Sequence, residues 1–257
     1  MKRVAVGILL LSLCLGVPVP DGHADQIVIV SDDWCPINCD PGTQAPGFMV
    51  EFAKIIFAKA GHSVEYKQVP WTRAVMEARK GNYHGIIGAY RGDAPDFIFP
   101  ENEQAVIGNS FFVLRDSTWT YTGLPSLDRV KIGLILGYDY GEEIDQYTQK
   151  NKDSTKVQMN SGEKALEKNI KKLLAGRIDA VLENNYVFEY KASRMNIMDK
   201  IKPAGVAVQP DKAYIAFSPA HHKSKEYAEI LSRGMEEIRA SGELAKILEQ
   251  YGLKDWK

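Results

Sequence analysis

One phrase occurs twice in this 257-residue chain. Residues 74–89 read AVMEARKGNYHGIIGA, and residues 165–183 read ALEKNIKKLLAGRIDAVLE. Each is an amphipathic helix ended by a glycine, Gly81 or Gly176, and followed by a short apolar strand. Two copies of one α/β unit, well separated along the chain, predict two similar lobes. Two lobes in turn predict a cleft between them.

The residues around the copies extend this pattern. Gln26–Ser31 reads as a strand, 32–47 as a loop, and Phe48–Ala60 as a helix with Phe52, Ile55 and Ile56 on one face. Ser63–Val69 alternates like a half-buried strand, Trp71–Arg79 is a helix after Pro70, and His84–Ala89 is a buried strand. This βαβαβ series predicts parallel pairing with right-handed crossovers. The polar stretch 100–110 predicts a first crossing between lobes, and 206–212 a second. Between them the pattern predicts strands at Ser110–Leu114, near Trp119–Tyr121, at Val130–Leu136 and at Ile178–Leu182. It also predicts helices over 141–150, 162–175 and Tyr186–Met195. Strand Ala213–Phe217 leads to two C-terminal helices, broken at Ser241-Gly242, whose apolar stripes read as core.

The N-terminus reads as a signal peptide over residues 1–24. Lys2 and Arg3 precede an apolar run, Val4–Val17, that is too short to span a bilayer. Gly22 and Ala24 place small residues before a cut at Asp25. Cys14 does not read as a lipidation site, because Leu13 stands where a small residue is wanted. The expected location is therefore the periplasm. A formal net charge of −1, dispersed along the chain, argues against nucleic acid or an anionic membrane as partner. Cys35 and Cys39, in an oxidising compartment, predict a disulfide that stiffens the WCPINC loop, worth roughly 2 kcal/mol for so short a loop. No metal or other cofactor is expected. The pair His221-His222 is adjacent in sequence, and neighbouring residues rarely converge on one ion.

In order and spacing, five segments carry a resemblance to a known family: PGFMVEFAKIIFAKAG, VPWTRAVMEARKGNYHGIIGA, KIGLILG, LLAGRIDAVLEN and MEEIRASGELAKILEQYG. Together they resemble the periplasmic solute-binding proteins of the polar-amino-acid group, which serve ABC importers. The resemblance covers nearly all of residues 26–253. It implies an α/β, two-lobed periplasmic-binding-protein fold. Each lobe is a mostly parallel sheet flanked by helices, and two crossing strands join them. Lobe 1 would hold residues 25–106 and 209–257, and lobe 2 residues 107–208. It further implies a monomer that closes on a small polar solute by a hinge motion and docks on a membrane-embedded importer or sensor.

In such folds ligands meet strand C-termini and helix N-termini, which selects five places. Trp34 offers an aromatic wall, or packs under its own loop. Trp71 and Arg73 open a helix, with Trp71 facing the core or the hinge and Arg73 facing solvent or an anionic group. Tyr90 and Arg91 follow a strand where the family holds a ligand carboxylate with a hydroxyl residue and an arginine. Arg91 comes earlier than that pattern, and its fork suits a carboxylate. Tyr138 and Asp139 stand where the family has a Gly–Thr pair. Asp139 serves as a helix cap or as a partner for a cation. Glu183 and Asn184 follow the second copy of the phrase, with Asn184 at the place of the Asp that pairs with a ligand amine. With Arg73 and Arg91 at the predicted cleft, the expected ligand is amino-acid-like or a small carboxylate, and the expected role is binding and not catalysis. The alternatives are a cyclohexadienyl-dehydratase-like enzyme, with Glu183 and Asp139 as its acid–base candidates, and a ligand-sensing accessory protein without a transporter.

Overall fold

A computed structural model describes residues 24–257 except Asp153 and Glu163. The signal peptide expected over 1–24, and Cys14 within it, lies outside the described residues apart from Ala24. No helix among the described residues is long and apolar enough to cross a membrane.

The chain runs β1 (Gln26–Ser31), α1 (Phe48–Lys59), β2 (Ser63–Gln68), α2 (Trp71–Arg79) and β3 (Gly85–Ala89). β4 (Ala105–Leu114) follows, then a 3-10 turn at Leu124–Arg129, β5 (Ile132–Ile135), α3 (Glu142–Lys150) and β6 (Val157–Asn160). α4 (Ala165–Leu174), β7 (Ala180–Asn184), α5 (Asn185–Arg194), β8 (Ile201–Phe217), α6 (Ser224–Ala240) and α7 (Glu243–Gln250) complete it. The strands form one curled sheet in the order β2-β1-β3-β8-β4-β7-β5-β6. β1 pairs in parallel with β2 and β3, and β5 in parallel with β6 and β7. Each copy of the repeated phrase thus supplies one helix and one strand of a parallel half-sheet.

The two half-sheets meet on β4 and β8. These strands pair antiparallel from Ala105↔Ala213 to Leu114↔Ile201, with register shifts between Ile107 and Phe112. The expected crossings are therefore parts of two long strands, and both lobes hang on one ribbon. Around β1–β3, helices α1, α6 and α7 bury Phe48, Phe52, Phe57, Tyr227, Leu231 and Leu248. Around β5–β7, a second apolar cluster holds Phe111, Leu127, Leu134, Ile144 and Leu182.

The strand expected near Trp119–Tyr121 does not form. Trp119 and Tyr121 pack their rings against Phe111 at 5.4 and 4.9 Å; Trp119 Nε1–H donates to the Ser126 carbonyl at 3.0 Å, and a single main-chain bond, from the Tyr121 N–H to the Ala204 carbonyl at 2.6 Å, stands in place of a ladder. Two further strand stretches have a weak sequence signal. β6 is only VQMN, and the first residues of β8, IKPAG, contain a proline and a glycine. There β4 is the only strand that pairs with β8, and no second ladder asks Pro203 for the N–H it lacks.

Candidate functional site

A cleft cavity of about 330 Å³, mouth included, lies between the half-sheets. Its floor is built from strand ends. β1 ends at Ser31 and delivers Asp32 and Trp34; β3 ends at Ala89 and delivers Tyr90 and Asp93. Trp71 comes from the first turn of α2, and Tyr138 and Asp139 come from the turn between β5 and α3. Four rings and three carboxylates thus meet in one space.

The rings stand at angles to one another. Trp34 meets Tyr90 at 6.4 Å and 76°, and Tyr138 at 6.3 Å and 75°. Tyr138 meets Trp71 at 6.1 Å and 83°. Such edge-to-face contacts form corners and not a stack. Trp34 is held from below: Cys35 and Cys39 are bonded, and the main-chain N–H of Trp34 donates to the Asn38 carbonyl at 3.0 Å. The expected disulfide is present and closes the turn beneath this ring.

Hydrogen bonds cross the cleft between the lobes. Tyr138 O–H donates to Asp32 Oδ2 at 2.7 Å, and the Asp139 main-chain N–H donates to Asp93 Oδ1 at 3.0 Å. Trp34 Nε1–H donates to Glu183 Oε1, and Trp71 Nε1–H to the Gly137 carbonyl, each at 3.0 Å. Lys191 and Asp33 add an ion pair at 2.5 Å. Two glycines permit this approach. A Cβ on Gly92 would fall 1.6 Å from Asp139 Oδ2, and one on Gly137 would fall 2.5 Å from Thr72 Cγ2.

The site is electrostatically negative. Burial pushes the Asp32 carboxyl up to about 6 and those of Asp93 and Glu183 to about 7, against donors that pull the other way. Burial also raises the Tyr138 hydroxyl, which stays protonated and keeps donating. Over the described residues, the cavity lining holds no lysine and no arginine.

Of the residues singled out from the sequence, Trp34, Trp71, Tyr90, Tyr138 and Asp139 share this cavity. The others stand elsewhere. Arg73 is exposed on α2. Arg91, expected to meet a ligand carboxylate, is not among the residues that line the cavity. Its guanidinium lies 4.9 Å from the ring centres of both Phe99 and Tyr214, and this double cation–π contact holds it on the first lobe, outside the cavity lining. Asn184 is spent on structure. Its Oδ1 accepts from the Val187 N–H at 3.2 Å as the cap of α5, and its Nδ2 donates to the Gly108 carbonyl at 3.0 Å. Glu183 faces Trp34 and also accepts from the Asn184 N–H at 2.8 Å, while its Oε2 is buried without a partner. Asp139 does not cap α3: its Oδ1 accepts from the Gly141 N–H at 2.7 Å in the turn just ahead of that helix, and the residue lines the cavity.

Asp32 and Asp93 complete the set. Asp93 had a readable signal, an acid in a tight Arg-Gly-Asp turn after a strand; its Oδ2 accepts from the Tyr90 N–H three residues back, at 2.7 Å.

His84, His221 and His222 form a separate cluster outside the cleft lining. His84 and His221 stand 4.6 Å apart between ring centres, and His221 stacks on His222. His84 Nδ1 accepts from the Val28 N–H at 3.0 Å, and His221 Nδ1 from the Lys223 N–H at 3.3 Å. A ring whose Nδ1 accepts carries its proton on Nε2, so neither ring offers a free lone pair to a metal.

Comparison with known proteins follows the same lines. Residues 135–254 match the family of bacterial extracellular solute-binding proteins, family 3. None of the curated proteins matches the sequence. Among solved structures, a histidine kinase sensor domain similar to periplasmic binding proteins superposes with a TM-score of 0.74 at 19% identity, covering 90% of this chain and 98% of that one. An ancestral arginine-binding protein bound to arginine gives 0.69 at 22% identity, covering 88% and 97%. An amino acid ABC transporter substrate-binding protein from Streptococcus pneumoniae, bound to L-arginine, gives 0.67 at 17% identity, covering 88% and 94%. Fold and family match agree with the resemblance carried by the sequence: the chain has the two-lobed periplasmic-binding-protein fold, and residues 135–254 match family 3 of the bacterial extracellular solute-binding proteins.

Proposed function

We propose that this protein binds a small, positively charged solute between its lobes in the periplasm and delivers it to a membrane-embedded ABC importer. One observation carries the reading: the cavity gathers Asp32, Asp93 and Asp139 among four aromatic rings, and its lining contains no cationic side chain among the described residues. The anionic ligand expected from Arg73 and Arg91 finds no partner there. A buried cluster of like charges costs free energy that a bound cation offsets. The lobes swivel on the β4–β8 ribbon, with boundaries near residues 107 and 208, where its register shifts fall.

We take the role to be binding and not catalysis. Glu183 Oε1 is occupied by Trp34 and by the Asn184 N–H, and Asp139 Oδ1 by the Gly141 N–H, so both acid–base candidates already serve as structural acceptors. Turnover of a prephenate-like substrate, lost in Glu183→Gln, would reverse this. A second reading, a sensory rather than a transport partner, is favoured by the likeness to the kinase sensor domain.

A thermal-shift panel on the mature protein tests the charge of the ligand. A matched cation at a hundredfold excess over Kd stabilises by about 2.7 kcal/mol. Organic cations should raise Tm, and carboxylates such as succinate should not. A panel in which only anions raise Tm overturns the proposal.

A further inference from the structure

We infer that the ligand is an alkylated ammonium ion, held by charge and aromatic rings and not by hydrogen bonds from its nitrogen. This deepens the cationic reading above and rests on it. The evidence is an inventory of acceptors. A primary ammonium brings three N–H donors that each need an acceptor. The cavity's carboxylates already spend part of theirs on protein donors, and those bonds fix the directions in which the remaining lone pairs point. Asp93 accepts on both oxygens, from the Tyr90 and Asp139 main-chain N–H groups at 2.7 and 3.0 Å. Asp32 Oδ2 accepts from Tyr138 O–H at 2.7 Å, and its Oδ1 faces Ser31 Oγ at 3.4 Å. Asp139 Oδ1 accepts from the Gly141 N–H, and its Oδ2 lies against Gly92.

The remaining lone pairs are thus held in fixed directions, while the field of the carboxylates reaches the whole cavity. An ion that needs field without acceptors is one whose nitrogen is wrapped in methyl or methylene groups. Its second requirement is a set of ring walls, which attract a diffuse cation and shed water from its alkyl surface. Tyr90, Trp34, Tyr138 and Trp71 provide a chain of such rings, each set at 75–83° to the next. A ligand carboxylate, by contrast, would face Asp32, Asp93 and Asp139 with no guanidinium in the lining, because Arg91 is held on Phe99 and Tyr214. The geometry selects against an α-amino acid on that side as well.

The test uses the mature protein and titration calorimetry with tetramethylammonium and choline, set against putrescine and L-arginine. The expected result is binding of the two alkylated ions about fivefold or more tighter than the two primary-amine probes. Global replacement of tryptophan by fluorinated tryptophans keeps ring shape while weakening the ring's attraction for a cation. Affinity for tetramethylammonium should then fall stepwise with fluorine number, with the circular dichroism spectrum unchanged. Tyr138→Leu should abolish binding, and the fluorination series guards against a folding failure in that variant. Tighter binding of putrescine or arginine overturns this inference and leaves the cationic reading standing. Affinity indifferent to fluorination also overturns it. Binding of anions alone removes both.

Discussion

The two copies of the repeated phrase fold alike and act differently. After the first copy, β3 runs into a loop that leaves Tyr90 and Asp93 in the cavity. After the second, β7 runs into α5 with no intervening residue, so Asn184 must cap the helix and Glu183 is drawn against Trp34. The second lobe instead reaches the cavity through Tyr138 and Asp139, from the turn after β5. The lesson is that loop length, and not strand position, decides whether a strand-end polar group is free for a ligand. A group that must satisfy a helix end is no longer available.

Four measurements can break or sharpen this contrast. The largest effect belongs to Trp34, which both lobes share. Trp34→Ala should cost about 3–5 kcal/mol in chemical denaturation, because it opens a cavity and removes the Nε1–H donor from Glu183. A loss below about 1 kcal/mol would mean the ring is not the pillar between the copies.

Gly92→Ala comes next. Its Cβ would meet Asp139 across the cleft, with no positive φ to strain the backbone. Each lobe should keep its fold while closure suffers: about a tenfold loss of cation affinity, or ~1.4 kcal/mol, with a larger radius of gyration in small-angle scattering. Unchanged affinity would show that the Asp139 contact is dispensable.

Asn184→Ala should cost about 1 kcal/mol of stability through the lost cap. Ligand affinity should stay within about twofold, since the side chain lies outside the cavity lining. A large affinity loss would restore the second copy to the site.

The smallest effect is a pH dependence that separates the cleft from the histidine cluster. Asp32, Asp93 and Glu183 have folded values raised by burial to about 6 to 7, so they favour the folded protein when protonated, and that contribution is lost as pH rises from the ordinary carboxylate range through about 7. A cation needs the ionised form, so affinity should rise from pH 5 to pH 8. His84 and His221 shift the opposite way. Burial lowers both, so their contribution is present above the ordinary histidine value near 6.5 and is lost as pH falls below it. Replacing His84 should flatten the acid limb of the melting curve and leave the affinity profile untouched.

Much of the fold was legible because periodicity and glycine punctuation carry it: β1, α1, β2, α2 and β3 fall within a residue or two of their expected bounds. β6 and the start of β8 were not, since one is too short to show alternation and the other is interrupted by Pro203 and Gly205. At the site, spacing pointed to the right strand ends but not to side-chain direction. Nothing in the string YRGD says that Arg91 lies back on Phe99 and Tyr214 while Asp93 turns in. A long flexible side chain takes its direction from tertiary neighbours, and those are remote in sequence.

The β4–β8 ribbon has one more consequence. Because the joint between lobes is itself part of the sheet, it has the mechanics of a leaf spring and not of a tether. Bending stores elastic energy in paired strands, and the irregular register between Ile107 and Phe112 sets where the stiffness is lowest. Opening and closing should therefore follow a single narrow arc, which makes the distance between the lobe tips a faithful readout of what the cleft contains.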